Sequence, residues 1–301
     1  MLTPAQIEER RNGIGGSDVP AVVGHNQYKT ALDVYLEKIG EAQPADLSDC
    51  EAVHWGNVLE EPVAREYARR EGVKVRRRTH AVVHPDLPFI RGNLDREVVG
   101  KRKVLEIKTT GFFAGRELGD EGSDSVPDAW LCQVHHYMLA TGFREADIAA
   151  LIGGQRLKIF RIPFDQDLAD MLIERLTWFW RECVEKRQPP PPQTAADLAR
   201  LYPSDDGGTV TATPEIQKAI EGLREANARL KDLEAVRKGL EFSVKEHLGD
   251  AATLVGTDGK PLATWKSQSA NRLDQTRLKA EDPDVYGRYT TTSTSRVLRL
   301  K

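Results

Sequence analysis

Apolar and polar positions alternate most clearly near the middle of the chain. Residues 96–99 and 104–107 are rich in apolar and β-branched side chains, and the Gly-Lys-Arg-Lys sequence between them is typical of a hairpin turn. In a strand, successive side chains point to opposite faces. One face of the second segment comprises Val104, Glu106 and Lys108, and the other comprises Leu105 and Ile107. The pattern predicts a hairpin whose second strand is anchored in a core by its fully apolar face.

The rest of the N-terminal part predicts alternating helices and strands. Helices are predicted at residues 19–23, 30–39, 130–139 and 165–185, the last with Met171, Leu172, Leu176 and Phe179 facing inward. Strands are predicted at residues 81–83, 148–152 and 157–162, with an edge strand near Val75. This order of helices and strands favours the α/β class.

A different pattern begins after a run of prolines at residues 189–192. The run starts a stiff linker, taken as residues 189–212, which separates a domain of residues 1–188 from an extension of residues 213–301.

Near-heptad apolar positions mark the start of the extension, at Ile216, Ile220, Leu223, Leu230, Leu233 and Leu240. Because Gly222 and Gly239 weaken a helix, this pattern favours a short coiled coil or a helical hairpin over one long rod. A β-hairpin is predicted around Asp258-Gly259, and residues 292–300 are predicted to add a strand. The extension is interpreted as a packing or oligomer contact, with DNA or protein binding as the alternative.

Composition limits the classes of partner. The 301 residues are enough for one large core or two domains, and the net charge of −3 leaves nucleic-acid contacts to local basic patches. Three widely spaced cysteines, without a Cys-x-x-Cys pair, argue against a zinc site or a disulfide framework and favour a reducing cytoplasm. The start of the sequence does not look like a signal peptide, and the apolar runs are too short for a membrane span.

The central hairpin carries the residues with the clearest chemical use. Asp95 arrives from the neighbouring strand beside Glu106 and Lys108, so two acids and a lysine converge on one point. Paired carboxylates favour a hard divalent cation such as Mg²⁺, which lowers the pKa of a bound water and neutralises charge on a phosphate. The alternative is a solvated hairpin with an exposed Glu-Lys pair.

A glycine-rich loop near the N-terminus is a candidate anion site. Arg10 and Arg11 precede Gly13, Gly15 and Gly16, and Ser17 with Asp18 stands at the start of the next predicted helix. Backbone N–H groups and the dipole at a helix N-terminus favour an anion. The alternative is a plain loop that caps the helix.

Five segments, taken in order, resemble the successive motifs of a known family. They are residues 10–18, the Trp-Gly-x-x-x-Glu sequence 55–60, residues 92–95, the Glu-Ile-Lys sequence 106–108 and the Gln-Val-x-x-Tyr sequence 133–137. Together they resemble the YqaJ-type viral recombinases, which are relatives of phage lambda exonuclease in the PD-(D/E)XK nuclease superfamily. The resemblance implies a nuclease core with a mixed central β-sheet flanked by helices.

The resemblance also implies roles for individual residues. Asp95 and Glu106 match the metal-binding acids, Lys108 the catalytic lysine, and Gln133 the glutamine near the attacking water. Glu60 and the carbonyl of Ile107 complete the implied metal ligands. Arg10 and Ser17 match the residues that hold a 5′-phosphate, with Arg11 as the competitor for Arg10. Leu94 replaces the proline of the superfamily name, which puts local phosphate contacts in doubt and leaves Asn93 as a candidate DNA contact.

The implied activity is digestion of one strand of duplex DNA in the 5′-to-3′ direction, with Mg²⁺ or Mn²⁺ as cofactor. The implied partners are double-stranded DNA ends, a single-strand annealing protein and further copies of the chain in a ring-shaped trimer; no membrane is implied. The expected compartment is the cytoplasm of a bacterium or of a phage-infected host. The rival interpretations are an endonuclease of the restriction or repair type and a catalytically silent DNA-binding scaffold.

Overall fold

The computed structural model describes residues 4–292 and 294–300. The described chain forms two compact units, the first ending at Leu201 and the second beginning at Tyr202. The boundary lies inside the predicted linker 189–212, and the predicted domain limits stay predictions.

The first unit contains seven α-helices and seven strands among its described residues. The helices are α1 (Pro4–Arg11), α2 (Val19–Val23), α3 (Ala31–Lys38), α4 (Glu51–Glu71), α5 (Asp128–Thr141), α6 (Gln166–Trp178) and α7 (Ala195–Leu201). The strands are β1 (Val75–Arg76), β2 (Val82–Val83), β3 (Arg91–Gly92), β4 (Arg96–Val98), β5 (Lys103–Thr110), β6 (Glu145–Ile152) and β7 (Arg156–Pro163).

Five of these strands form one mixed sheet in the order β1-β4-β5-β6-β7. Strands β5 and β6 run parallel, with Glu106 opposite Ile148, and the other neighbours in this sheet are antiparallel. A parallel pair needs a long crossover, which contains α5. Strands β2 and β3 form a separate small sheet. The mixed sheet flanked by helices confirms the predicted fold class.

Both faces of the central strand β5 are covered. Leu105 and Ile107 pack with Val63 and Tyr67 of α4. Val104, on the opposite face, belongs to the core that includes residues of α5 and α6. Glu106 shares that face and is only 2% exposed. The prediction of an apolar anchoring face is correct, but the acid-bearing face is also part of the interior.

Helix α6, which follows β7, departs from the prediction in one detail. Helix α6 passes into a π-helical turn at Phe179–Val184, so the two together cover most of the predicted helix 165–185. Leu172, Leu176 and Phe179 are fully buried, whereas Met171 is 41% exposed. The inward placement of Met171 is therefore wrong, because that side chain falls beyond the edge of the buried stripe.

Helix α7 explains why the first unit extends beyond the prolines. Its Asp197 is buried and accepts hydrogen bonds from Thr30 Oγ1 at 2.9 Å and from the Gln193 backbone N–H at 2.9 Å. These contacts attach residues 193–201 to the start of α3.

The second unit contains one long helix, a hairpin and two short helices in its described part. They are α8 (Pro214–Leu248), β8 (Thr253–Val255), β9 (Pro261–Thr264), α9 (Gln275–Glu281) and α10 (Pro283–Arg288). The hairpin is confirmed, with Thr253 opposite Thr264.

Two predictions for this unit are wrong. Helix α8 is one continuous helix of 35 residues, whereas the prediction favoured a short coiled coil or a helical hairpin over one long rod. The cost of a glycine relative to alanine is only about 1 kcal/mol, so Gly222 and Gly239 do not end it. Within residues 292 and 294–300 no strand forms. Across the described chain, moreover, no helix combines the length and the apolar character that a membrane crossing requires.

Candidate active site

The β4–β5 hairpin brings Asp95 to Glu106. Asp95 stands just before β4, and its Oδ2 accepts a hydrogen bond of 2.8 Å from the backbone N–H of Ile107. This bond ties the Asp95 carboxylate to the strand that carries Glu106. The sequence-based convergence of these two acids is therefore present in the structure.

Lys108 and Gln133 complete a closed hydrogen-bonded triangle with Glu106. Lys108 Nζ donates to Glu106 Oε1 and to Gln133 Oε1, each at 2.7 Å, and Gln133 Nε2 donates to Glu106 Oε1 at 2.7 Å. Gln133 Nε2 also lies 3.1 Å from the hydroxyl of Tyr137, which accepts from it. Helix α5 thus supplies the amide that orients the acid and the lysine of β5.

The negative charges of the Asp95 and Glu106 carboxylates are not fully balanced by nearby positive charge. Burial, followed by repulsion from Glu106, raises the pKa of Asp95 to about 8. Glu106 Oε2 is buried and has no hydrogen-bond partner among the described residues. An orphaned carboxylate oxygen beside a second, half-buried acid fits a hard divalent cation, which binds oxygen ligands and offsets both charges.

Glu60 is not part of this pair. Its Oε1 forms an ion pair with Arg96 Nη1, and Arg77 Nη2 lies 3.6 Å away. The side chain of Arg96 is only 6% exposed, so it needs a carboxylate partner, which Glu60 and Glu61 supply. Among the described residues no three Asp, Glu, His or Cys side chains are grouped as a metal site.

A polar cleft of about 630 Å³ extends from Asp95 to the N-terminal loop. It is lined by the predicted residues Arg10, Ser17, Asn93 and Asp95. Further lining residues, which were assigned no individual role from the sequence alone, are Asn57, Arg77, Arg78, His80, Arg91 and Tyr137. Arg77 and Arg78 precede β2, and no local pattern places them in the cleft, because their position depends on how the chain folds back after α4.

The glycines of the N-terminal loop have a packing role. A Cβ on Gly16 would lie 2.4 Å from the ring of Tyr137, and one on Gly92 would lie 2.6 Å from it. Because real Cβ atoms do not approach other atoms this closely, only glycine accommodates the ring at both positions. The loop is therefore shaped by the Tyr137 side chain.

The predicted anion site at the start of α2 lies beside a buried carboxylate, Asp18. Helix α2 has only five residues, and Asp18 stands at its N-cap position without a side-chain capping bond among the described residues. Asp18 is buried and accepts from Lys38 Nζ at 2.7 Å and from Lys29 Nζ at 3.2 Å. Burial opposes ionisation of Asp18, but Lys38 and Lys29 hold its pKa far below the usual range. A buried carboxylate already occupies this helix end, so a phosphate bound nearby would depend on the side chains of Arg10 and Ser17 rather than on the helix dipole.

Arg10 and Arg11 point to different environments. Arg10 lines the cleft, with Nη2 3.8 Å from Asp18 Oδ1. Arg11 pairs with Glu8 at 3.1 Å and lies against Gly40, outside the residues that line the cleft. The geometry therefore places the arginine preferred by the sequence in the cleft.

The histidines and cysteines have structural environments. His135 Nδ1 lies 2.9 Å from the Leu131 carbonyl oxygen, and His136 Nε2 lies 2.9 Å from that of Arg91. Burial lowers the pKa of both imidazoles. Cys50, Cys132 and Cys183 are all free thiols.

An exposed aromatic pair follows β5 and was missed by the sequence interpretation. Phe112 and Phe113 are 60% and 79% exposed. The guanidinium of Arg116 lies 5.0 Å from one ring and 5.8 Å from the other. The aromatic pair comes immediately after the strand that carries Glu106 and Lys108, and this position is the sequence feature that would have identified it.

Comparisons with known proteins define first the class and then the family. The solved structure of LHK-Exo in complex with dAMP has a TM-score of 0.50 at 17% identity and covers 66% of this chain and 97% of that chain. A second structure, of an alkaline exonuclease (LHK-Exo) from Laribacter hongkongensis, has a TM-score of 0.49 at 16% identity, covering 62% of this chain and 94% of that one. The first of these likenesses indicates a shared nuclease fold.

The sequence relationship is closer. The model of the YqaJ-like viral recombinase domain matches residues 7–144. The uncharacterized protein YqaJ of Bacillus subtilis (strain 168) is 35% identical over 285 residues, which are 92% of this chain and 88% of that protein. The chain belongs to the YqaJ family, and the resemblance stated from its motifs is confirmed.

Proposed function

We propose that this protein is a metal-dependent exonuclease of homologous recombination that digests one strand of duplex DNA from its 5′ end and leaves a 3′ overhang. The observation that carries the proposal is the Asp95–Glu106–Lys108–Gln133 arrangement, which adjoins a cleft lined by Arg10, Ser17 and Asn93. The family of viral-recombinase-like domains and the nuclease fold support it.

The donor set fits Mg²⁺, with Mn²⁺ as a substitute. Asp95, Glu106 and the carbonyl of Ile107 are the proposed ligands, and Glu60 is a further candidate from α4, where its partners are Arg96 and Arg77. When bound, the cation would offset the carboxylate charges, activate a water and stabilise charge on the scissile phosphate.

The protein's own groups then have separate tasks. Lys108 donates to Glu106 and so fixes its carboxylate, and its ammonium is a point charge beside the developing negative charge of the phosphate. Gln133 Oε1 accepts from Lys108 and has a second lone pair with which to orient the attacking water, whereas both Nε2 hydrogens are donated to Glu106 and Tyr137. The Tyr137 hydroxyl accepts a hydrogen bond from Gln133 Nε2 and so holds the side-chain amide in its orientation.

The basic side of the cleft supports recognition of a DNA end. Arg10 and Ser17 are proposed to bind the 5′-phosphate, and Asn93 the neighbouring backbone. The exposed Phe112–Phe113 pair with Arg116 offers stacking surfaces to unpaired bases. An annealing protein would receive the 3′ overhang, and the expected compartment is the bacterial or infected-host cytoplasm. The active form is proposed to be a homo-oligomer.

Comparison of linear and closed DNA tests this function. The purified protein is mixed with linear duplex carrying a 5′-phosphate, linear duplex carrying a 5′-hydroxyl, or covalently closed circles. With Mg²⁺ we expect digestion of the phosphorylated linear duplex, slower digestion of the hydroxylated one and none of the circles; a chelator abolishes all digestion. Cleavage of circles would establish the endonuclease instead, and DNA binding without cleavage would establish the silent scaffold.

A further inference from the structure

The long helix α8 exposes an apolar seam with a seven-residue period. In heptad notation the a positions are Ile216, Leu223, Leu230, Arg237 and Val244. Leu230 is 59% exposed and Leu223 39% exposed. Helices owe most of their stability in water to the packing of such a face, and a seam of period 3.5 packs best against another helix.

The d positions complete the seam. They are Ala219, Ala226, Leu233, Leu240 and His247. Leu233 and Leu240 are 64% and 65% exposed. The two glycines of the helix fall at g and c positions, so neither interrupts the seam. Over 35 residues the seam runs for about 52 Å, at 1.5 Å per residue.

We propose that α8 pairs with α8 of a second copy of this chain in an antiparallel coiled coil. In an antiparallel pair each a residue faces a d residue of the other helix. If Leu230 faces the partner's Leu233, the two helices overlap over their whole length, because this layer lies at the middle of Pro214–Leu248. The same register places Leu223 against the partner's Leu240.

Arg237, the charged residue at an a position of the seam, favours the antiparallel direction. Arg237 occupies an a position, and a parallel pair would set it against the same arginine of the partner, with like charges in contact. The antiparallel register sets it against the partner's Ala226, whose small side chain leaves room for the long arginine stem. Arg237 Nη1 lies 3.9 Å from Glu241 Oε1 on its own helix, which draws the charge toward the edge of the seam.

The hairpin of the second unit forms a groove for the partner helix. Leu233, Leu240 and Val244 of α8, together with Ala263 and Trp265, line a cavity of about 500 Å³. In the proposed register the partner's Leu223 meets Leu240 inside this groove, and the partner's Ala219 meets Val244. Ala219 and Ala226 thus face the larger Val244 and Arg237, and the layers between them pair leucine with leucine.

Light scattering of the full chain tests the pairing. We expect the wild type to have an even multiple of the chain mass of 33.6 kDa and the Leu230→Glu variant to have half the mass of the wild type. Ala235→Glu, at an exposed f position, is the matched control and keeps the wild-type mass. A wild type with an odd number of chains, or a mass that Leu230→Glu leaves unchanged, overturns the proposal; circular dichroism verifies that the variants remain helical.

Disulfide cross-linking tests the direction. In a Cys50→Ser background, a mixture of Leu223→Cys and Leu240→Cys chains forms a covalent dimer on oxidation, whereas either variant alone does not. A covalent dimer of Leu223→Cys alone shows a parallel pair and contradicts the register. Cys132 and Cys183 are buried and do not compete. Because these positions lie outside the nuclease unit, the outcome is separate from that of the DNA digestion experiment.

Discussion

At the residue scale, Asp95 and Glu106 form an electrostatically incomplete pair. One lysine, Lys108, faces two carboxylates, and an oxygen of Glu106 is buried without a partner among the described residues. Burial, followed by repulsion from Glu106, raises the pKa of the Asp95 carboxyl. The pair therefore makes pH and divalent cations act on the same group, the carboxyl of Asp95.

The raised pKa of Asp95 predicts how stability changes with pH when a chelator is present. The folded pKa of about 8 lies above the unfolded value of about 3.9, so between these values the folded state retains a proton that the unfolded state has lost. The wild type should lose stability relative to Asp95→Asn as pH rises from 5 to 8, by more than about 1 kcal/mol. Urea denaturation of both proteins at the two pH values measures this; parallel pH dependence would contradict it.

Removal of Lys108 or Glu106 should abolish cleavage without unfolding the protein. Both side chains belong to the hydrogen-bonded triangle with Gln133 rather than to an apolar contact, and loss of one preorganised charge costs at least about a hundredfold in rate. Lys108→Ala and Glu106→Gln are compared with Lys101→Ala, an exposed lysine in the β4–β5 turn. Rates come from single-turnover digestion and folding from thermal unfolding. Near-normal digestion by either variant removes the site assignment.

Arg10 and Arg11 offer a matched pair for the 5′-phosphate pocket. Charge-assisted hydrogen bonds contribute about 1.5–3 kcal/mol, so Arg10→Ala should reduce the preference for 5′-phosphate over 5′-hydroxyl duplex about tenfold or more. Arg11→Ala should leave the preference unchanged, because Arg11 pairs with Glu8 away from the cleft. Reversal of the two results would place the pocket around Arg11, and no change in either variant would refute it.

At the element scale, strand β5 was predictable because its periodicity is local. The alternation of its side chains placed Glu106 and Lys108 together, and the turn before it fixed the hairpin. The role of Glu60 was not predictable, because helical periodicity sets the face of a residue but not its partner. Its pairing with Arg96 depends on where α4 packs against the sheet.

The N-terminal loop shows the same limit. Glycines at 15 and 16 suggested close approach of a ligand, yet the group that approaches is Tyr137, 121 residues away from Gly16. No local pattern contains that contact. The length of α8 was underestimated for a different reason: two glycines lower helix propensity but remain small costs in a 35-residue helix.

Gly16→Ala tests the contact between the loop and Tyr137. The added Cβ would meet the ring at 2.4 Å, so overpacking should cost about 1–3 kcal/mol of unfolding free energy. Gly111→Ala, where a Cβ meets nothing within 4 Å, is the control and should change stability by less than about 0.5 kcal/mol. In a Tyr137→Leu background the cost at position 16 should fall, which a double-mutant cycle measures. Equal costs in both backgrounds would disprove the contact's role.

At the scale of the whole molecule, the chain separates its chemistry from its long helix. The acid pair, the basic cleft and their supporting sheet all lie in the first unit, whereas the exposed seam lies in the second. Family membership covers both, since the Bacillus subtilis relative aligns with 92% of the chain. DNA digestion and self-association are accordingly expected to respond to different substitutions.

The polarity of digestion tests the central claim most directly. A duplex closed by a hairpin at one end is labelled either in its 5′-phosphate or in its 3′-terminal nucleotide and is digested in Mg²⁺ under single-turnover conditions, with Glu106→Gln as the blank. We predict that the 5′ label is released at once in mononucleotides, while the 3′ label stays on the long single strand that remains. Early release of the 3′ label, or internal cuts that leave both labels on long fragments, would contradict the account.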